Sequence, residues 1–107
     1  MDDLQGDAYF TVTVDADASP AVVRAAGELD AASSREFAAA IDEALGCGTG
    51  VALDLGQVTF VDSAGLRVMA VALRRAKEEG ITLGVSAMSD AVRRIFEMTG
   101  VSSLLAP

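Results

Sequence analysis

One short stretch of the chain gathers residue types that can do chemistry: Asp62-Ser63-Ala64-Gly65. A serine hydroxyl is a weak nucleophile until a base takes its proton. The nucleophile elbow of serine hydrolases reads G-x-S-x-G. Here Gly65 matches the second glycine, but Val61 stands where the first belongs. The sequence contains no histidine. That closes Ser-His-Asp and Cys-His catalysis, histidine-containing zinc sites and the histidine general base together. Cys47 is the only cysteine, so a thiolate cage for a metal is also excluded. The base that would activate Ser63 has to come from elsewhere, which suits this serine as the substrate of a kinase.

The surroundings of Ser63 bear on that chemistry. An apolar stretch leads into it and a helical pattern leads out, so Ser63 falls at the cap or first turn of a helix. In open α/β sheets, functional groups gather beyond the carboxyl ends of strands. The first backbone N–H groups of a helix lack helical partners, and the dipole there favours negative charge. A phosphate would gain from both effects and would bring about −1.5 to −2 charges. Asp62, already negative, opposes that gain. An Asp-Ser pair before an apolar helical run is also a common N-cap, worth about 1 kcal/mol. The two readings are compatible, because a capping hydroxyl is also an exposed one.

Two look-alike motifs fail on context. Gly46-Cys47-Gly48-Thr49-Gly50 has the glycines of a dinucleotide loop, yet it follows a helix and precedes a strand, the reverse of the fingerprint. It reads as a helix stop and turn. No basic residue stands near Cys47 to lower its pKa, so it reads as inert. No lysine follows a glycine-rich run, so there is no P-loop, and no cofactor or metal is expected.

The elements that must position Ser63 follow from periodicity. Residues 9–14 alternate as a strand, and residues 21–27 form a second, giving an N-terminal hairpin. Ser33 and Glu36 have capping-box spacing, and Phe37, Ile41, Ala44 and Leu45 then share one helical face. Residues 51–55 form a short central strand and residues 56–62 a loop. A helix over 63–79 carries a stripe of Leu66, Met69, Ala70 and Leu73, turns Arg74, Arg75, Lys77, Glu78 and Glu79 to water, and stops at Gly80. Residues 81–85 form another strand. A third helix opens at Asp90, turns Val92, Ile95 and Phe96 inward and closes at Thr99-Gly100. Leu104-Leu105 is a candidate last strand. Alternating strands and helices imply parallel pairing, so the sheet is α/β and mixed.

At 107 residues the chain fits one domain, and with 51% apolar residues it can build a core. The net charge of −8 argues against nucleic acid and against docking on an anionic membrane. Residues 1–62 hold 12 acids and 2 bases, residues 63–107 4 acids and 6 bases. The acidic half either keeps the domain soluble or meets a basic partner. The single cysteine, the acidic start Met1-Asp2-Asp3 and the lack of a long apolar run point to the cytoplasm.

Three segments together resemble a known family. Gly27-Glu28-Leu29-Asp30 looks like the G-E-L-D motif that follows the second strand of STAS domains. The stretch Val58 to Leu66 looks like their phosphorylation loop, which usually ends D-S-S-G-L. The stretch Val92 to Gly100 looks like their R-x-F-x-x-[ST]-G segment. The resemblance covers nearly the whole chain and is to STAS proteins of the anti-sigma factor antagonist type. It implies a mixed sheet with an N-terminal hairpin, parallel central strands and helices mainly on one face. It also implies one domain over residues 1–107, without the further helix that family members usually carry after this point.

The same resemblance implies a partner switch. The unphosphorylated protein would bind an anti-sigma factor, which is a serine kinase, and so release the sigma factor. Phosphorylation at Ser63 would end binding, and a phosphatase would reset the protein. Asp30, Asp62, Ser63, Ala64 and Gly65 are the implied partner-binding residues. Ala64 stands where the family often has a second serine, which removes a competing acceptor. Two rival functions remain: a STAS scaffold or transport-complex subunit that is never phosphorylated, and an enzyme or nucleotide-binding protein.

Overall fold

A computed structural model describes residues 9–100. The elements run β1 (Phe10–Asp15), β2 (Ala21–Leu29), α1 (Ser34–Leu45), β3 (Val51–Val61), α2 (Ser63–Glu79), β4 (Leu83–Met88) and α3 (Asp90–Thr99). The candidate strand at Leu104-Leu105 lies outside the described residues. The four strands form one sheet in the order β1-β2-β3-β4. The β1–β2 pair is antiparallel, while β2–β3 and β3–β4 are parallel. The mixed α/β sheet with its opening hairpin is thus as the periodicity implies.

Strand alternation decides which face is covered. Phe10, Ala21, Val23, Ala25, Val51, Leu53 and Leu55 are buried, while Thr11, Thr13 and Arg24 on the opposite face are exposed. Arg24 and Asp54 face each other there as cross-strand neighbours, with Arg24 Nε 3.1 Å from Asp54 Oδ2. Each helix adds to the core through one stripe: Phe37, Ile41, Ala44 and Leu45 from α1, Met69 and Leu73 from α2, Val92 and Phe96 from α3. Burying a side chain of this size contributes about 1.5–3 kcal/mol. The rings of Phe10 and Phe37 meet edge to face at 6.5 Å, which locks α1 onto β1.

Five local expectations are corrected. The third strand continues to Val61 instead of yielding to a loop at residue 56. Its second half keeps pairing with β2 through register shifts between Arg24 and Ala26 and between Gly27 and Glu28. Such shifts let a strand bend without ending. At Gly27 the backbone has φ +99°, and a Cβ there would lie 2.0 Å from the Tyr9 carbonyl oxygen, so only glycine fits beside β1.

The fourth strand spans Leu83–Met88 and not 81–85, because Ile81 N–H is spent on the Ala76 carbonyl as α2 closes at Gly80. The stripe of α2 is also rotated: Gly65, Met69, Ala72, Leu73 and Ala76 are buried, and Leu66 and Ala70 only half so. Gly65 seats directly on Leu29, which puts the α2 start against the end of β2. Ile95 of α3 is only half-buried, since Val92 and Phe96 take the core face. Finally, Ser33 makes no capping bond to α1. Its hydroxyl is used elsewhere, as follows.

Candidate functional site

Strands β2 and β3 run parallel and end side by side, with Leu29 opposite Val61. The backbone N–H of Asp62 donates to the Leu29 carbonyl at 3.1 Å. The segments that follow, Asp30 and Asp62-Ser63, therefore emerge at one edge of the sheet, beyond the carboxyl ends of the strands.

Asp62 is the N-cap of α2, with extended backbone at φ −112° and ψ −170°. Its Oδ1 accepts the N–H groups of Ala64 at 2.9 Å and Gly65 at 3.3 Å. Two amides that the sequence left open for a phosphate are thus occupied by the neighbouring carboxylate. The capping role belongs to Asp62, not to Ser63. Ser63 is the first residue of α2 and is exposed, and no protein group binds its hydroxyl among the described residues. Ala64 is half-buried. Gly65 is buried, and a Cβ on it would lie 2.7 Å from Leu29 Cγ and 3.2 Å from the Leu29 carbonyl oxygen. The glycine therefore lets the α2 start settle onto the end of β2.

Asp30 does different work. Its Oδ1 accepts from Ala32 N–H at 3.0 Å and from Ser33 N–H at 3.1 Å. The Ser33 backbone bond does most to hold the Asp30 carboxyl below the usual carboxylate range; desolvation opposes it, and the Ser33 hydroxyl and Ala32 N–H assist. The Ser33 hydroxyl, which is buried, accepts from Asp30 N–H at 2.9 Å and lies 2.7 Å from the Glu28 carbonyl, to which it donates. Asp30 and Ser33 thus tie the end of β2 to the start of α1.

Of the five residues expected to form one site, Asp30 lies apart from Ser63 and Ala64, in a different shallow depression, and Asp62 and Gly65 line neither. Asp30 borders one with Tyr9, Phe10, Glu28, Ser33 and Glu36. Ser63 and Ala64 line another with Ser34, Arg67 and Val68. Motif reading passed over Ser34 and Arg67. The signal for Arg67 was present, since residues four apart on a helix share a face. Phe60, just ahead of Asp62, is half exposed at 49%. An exposed aromatic side chain is the kind of anchor that interfaces use, although Phe60 does not line the depression that holds Ser63. No cluster of metal-ligating side chains occurs among the described residues, and no helix there is long and apolar enough to cross a membrane.

The family described as Mlab, STAS domain, matches residues 12–106. This chain belongs to the STAS domain family. A curated relative, the anti-sigma-B factor antagonist of Listeria monocytogenes serovar 1/2a, is 33% identical over 82 residues, covering 75% of this chain and 71% of the relative. Among solved structures, an anti-sigma factor antagonist from Mycobacterium paratuberculosis matches with a TM-score of 0.79 and 26% identity, covering 91% of this chain and 83% of that one. The anti-sigma factor antagonist SpoIIAA in its unphosphorylated form matches with a TM-score of 0.73 and 21% identity, over 88% and 84% of the two chains, and so shares the STAS fold. The resemblance drawn from the three motifs is therefore correct, and so is the fold it implied.

Proposed function

We propose that this STAS protein is an anti-sigma factor antagonist switched by phosphorylation at Ser63. The unphosphorylated form binds an anti-sigma factor that is also a serine kinase, and the sigma factor is released. The kinase then transfers the γ-phosphoryl group of ATP to Ser63: the Oγ–P bond forms, ADP leaves, and the hydroxyl proton passes to a base of the kinase. The new dianion sits within a close contact, where desolvation and repulsion from Asp62 drive the partners apart. A phosphatase removes the group and resets the cycle. In this reading residues 1–107 act as one domain in the cytoplasm. The chain performs no catalysis of its own, carries no cofactor or metal, and engages protein rather than nucleic acid or membrane.

The observation that carries the reading is the uncovered Ser63 hydroxyl at a strand-to-helix junction whose neighbouring amides are already bound. The names of the relatives supply the partner class. In this reading Asp30, Asp62, Ser63, Ala64 and Gly65 belong to the partner-binding surface, with Phe60 as an exposed apolar side chain nearby in sequence.

The test is incubation with the cognate kinase and ATP, followed by mass spectrometry and binding measurements. Phosphate is expected on Ser63 alone. Ser63→Ala is expected to keep the fold and remain bound to the kinase in the presence of ATP, and Ser63→Asp to bind less tightly. An unmodified Ser63 would overturn the switch and leave a STAS scaffold or transport-complex subunit.

A further inference from the structure

Arg67 follows Ser63 by one helical turn on α2, and both line the depression that also holds Ser34, Ala64 and Val68. Helical side chains lean toward the N-terminus of their helix, so a long side chain at i+4 lies back over residue i. Arg67 is exposed and has no ion-pair partner among the described residues. Two other arginines are committed, Arg24 to Asp54 and Arg75 to both Asp42 and Glu79. Asp42, the acidic side chain of α1 that shares a groove with Arg67, is the one Arg75 holds, at 2.6 Å.

A phosphoryl group on Ser63 would find the Ala64 and Gly65 amides bound by Asp62. It would also meet that carboxylate as a like charge. The cation sharing its depression is Arg67. A guanidinium matches a phosphate with two parallel hydrogen bonds, and phosphoserine is typically held by arginine in this way.

We infer that Arg67 receives the phosphate of phosphoserine 63 within the same chain, laying the modified side chain along α2. This rests on the reading of Ser63 as the phosphoacceptor. The pairing offsets the repulsion from Asp62 and fixes the dianion in one place on the surface that a partner meets. The modified residue and its counter-charge then lie within one turn of one helix, so the rest of the fold has no need to move.

The experiment installs phosphoserine at position 63 during synthesis, without a kinase, and follows the second ionisation of the phosphate by phosphorus NMR. Arg67 favours the dianion, so removing it raises that pKa. Arg67→Gln is expected to raise it by about 0.2–0.7 pH units, the range that an exposed ion pair produces. Arg67→Lys keeps the charge but loses the fork, and is expected to raise it less. Arg74→Gln, an exposed and unpaired arginine further along α2, is expected to leave it unchanged. About 0.5 M salt is expected to shrink the difference between native and Arg67→Gln proteins.

The inference is overturned if Arg67→Gln titrates like the native phosphoprotein, or shifts no more than Arg74→Gln. Both side chains project into solvent, and circular dichroism checks that each variant is folded. The parent reading fails separately: it does so if the native phosphoprotein binds the anti-sigma factor kinase as tightly as the unmodified chain, whatever the titration gives.

Discussion

At the start of α1 and again at the start of α2, a parallel strand runs into an aspartate and a serine follows within three residues. The two turns use these groups in opposite ways. At α1 the serine is buried: the Ser33 hydroxyl accepts Asp30 N–H and reaches the Glu28 carbonyl, and the Asp30 carboxylate binds the turn from outside. At α2 the aspartate alone makes the cap, through Ala64 and Gly65, and the serine stays exposed. A hydroxyl that holds the fold together is not available for modification. The second turn frees its serine because a glycine lets the helix start press onto Leu29, so that the carboxylate can satisfy the amides by itself.

Substitutions at the two turns can break or sharpen this contrast. The largest effect is expected for Gly65→Ala. Its methyl would lie 2.7 Å from Leu29 Cγ, and Leu29 is fully buried and cannot step aside. A loss of about 2–3 kcal/mol in unfolding free energy is expected from urea titration. Retention of native stability would mean that α2 does not lean on β2 through this contact.

Next comes Ser33→Ala, which strips a partner from both Asp30 N–H and the Glu28 carbonyl. A loss of about 1–2 kcal/mol is expected. Ser63→Ala, the matching change at the other turn, is expected to stay within about 0.5 kcal/mol of native. Equal costs at the two serines would erase the distinction. Asp62→Ala falls between them: losing an N-cap is expected to cost about 1 kcal/mol. It also frees the two amides, so amide hydrogen exchange at Ala64 and Gly65 is expected to speed up.

The smallest effect is in pH dependence. The Asp30 carboxyl is held below its ordinary value by the Ser33 backbone N–H, and the Asp54 carboxyl by the Gly56 backbone N–H, with the Arg24 guanidinium helping. A carboxylate with a lowered folded-state pKa stabilises when ionised. Its contribution is complete above the unfolded value near 3.8 and fades as pH falls through the lowered one. The stability gap between native protein and Asp30→Asn is therefore expected to be full at about pH 7 and to narrow as pH falls below the ordinary carboxylate value, followed by urea midpoints on acidification. A gap that widens on acidification would reverse the assigned sign.

Much of this is legible in the sequence alone. Helical periodicity with its start and stop signals placed all three helices. Alternation placed the hairpin, and the three motifs placed the family and singled out Ser63. Less legible was β3 beyond Leu55, where Gly56 and Gln57 look like a loop. Asp54 Oδ1 accepts the Gly56 N–H at 3.0 Å there, and β2 supplies a register shift that carries the ladder onward. Neither device leaves a mark in local composition. The stripe of α2 was misjudged for a related reason: a glycine reads as a helix weakener, and only contact with Leu29 reveals it as the most closely packed residue of the first turn.

What the sequence determined by itself was local and periodic: the order of helices and strands, the apolar side of α1, and which serine stands in the family motif. Tertiary structure alone decided which of the two turn serines is free. That outcome depends on how the ends of β2 and β3 meet, because a hydroxyl or carboxylate can satisfy only the backbone groups that packing brings within about 3 Å.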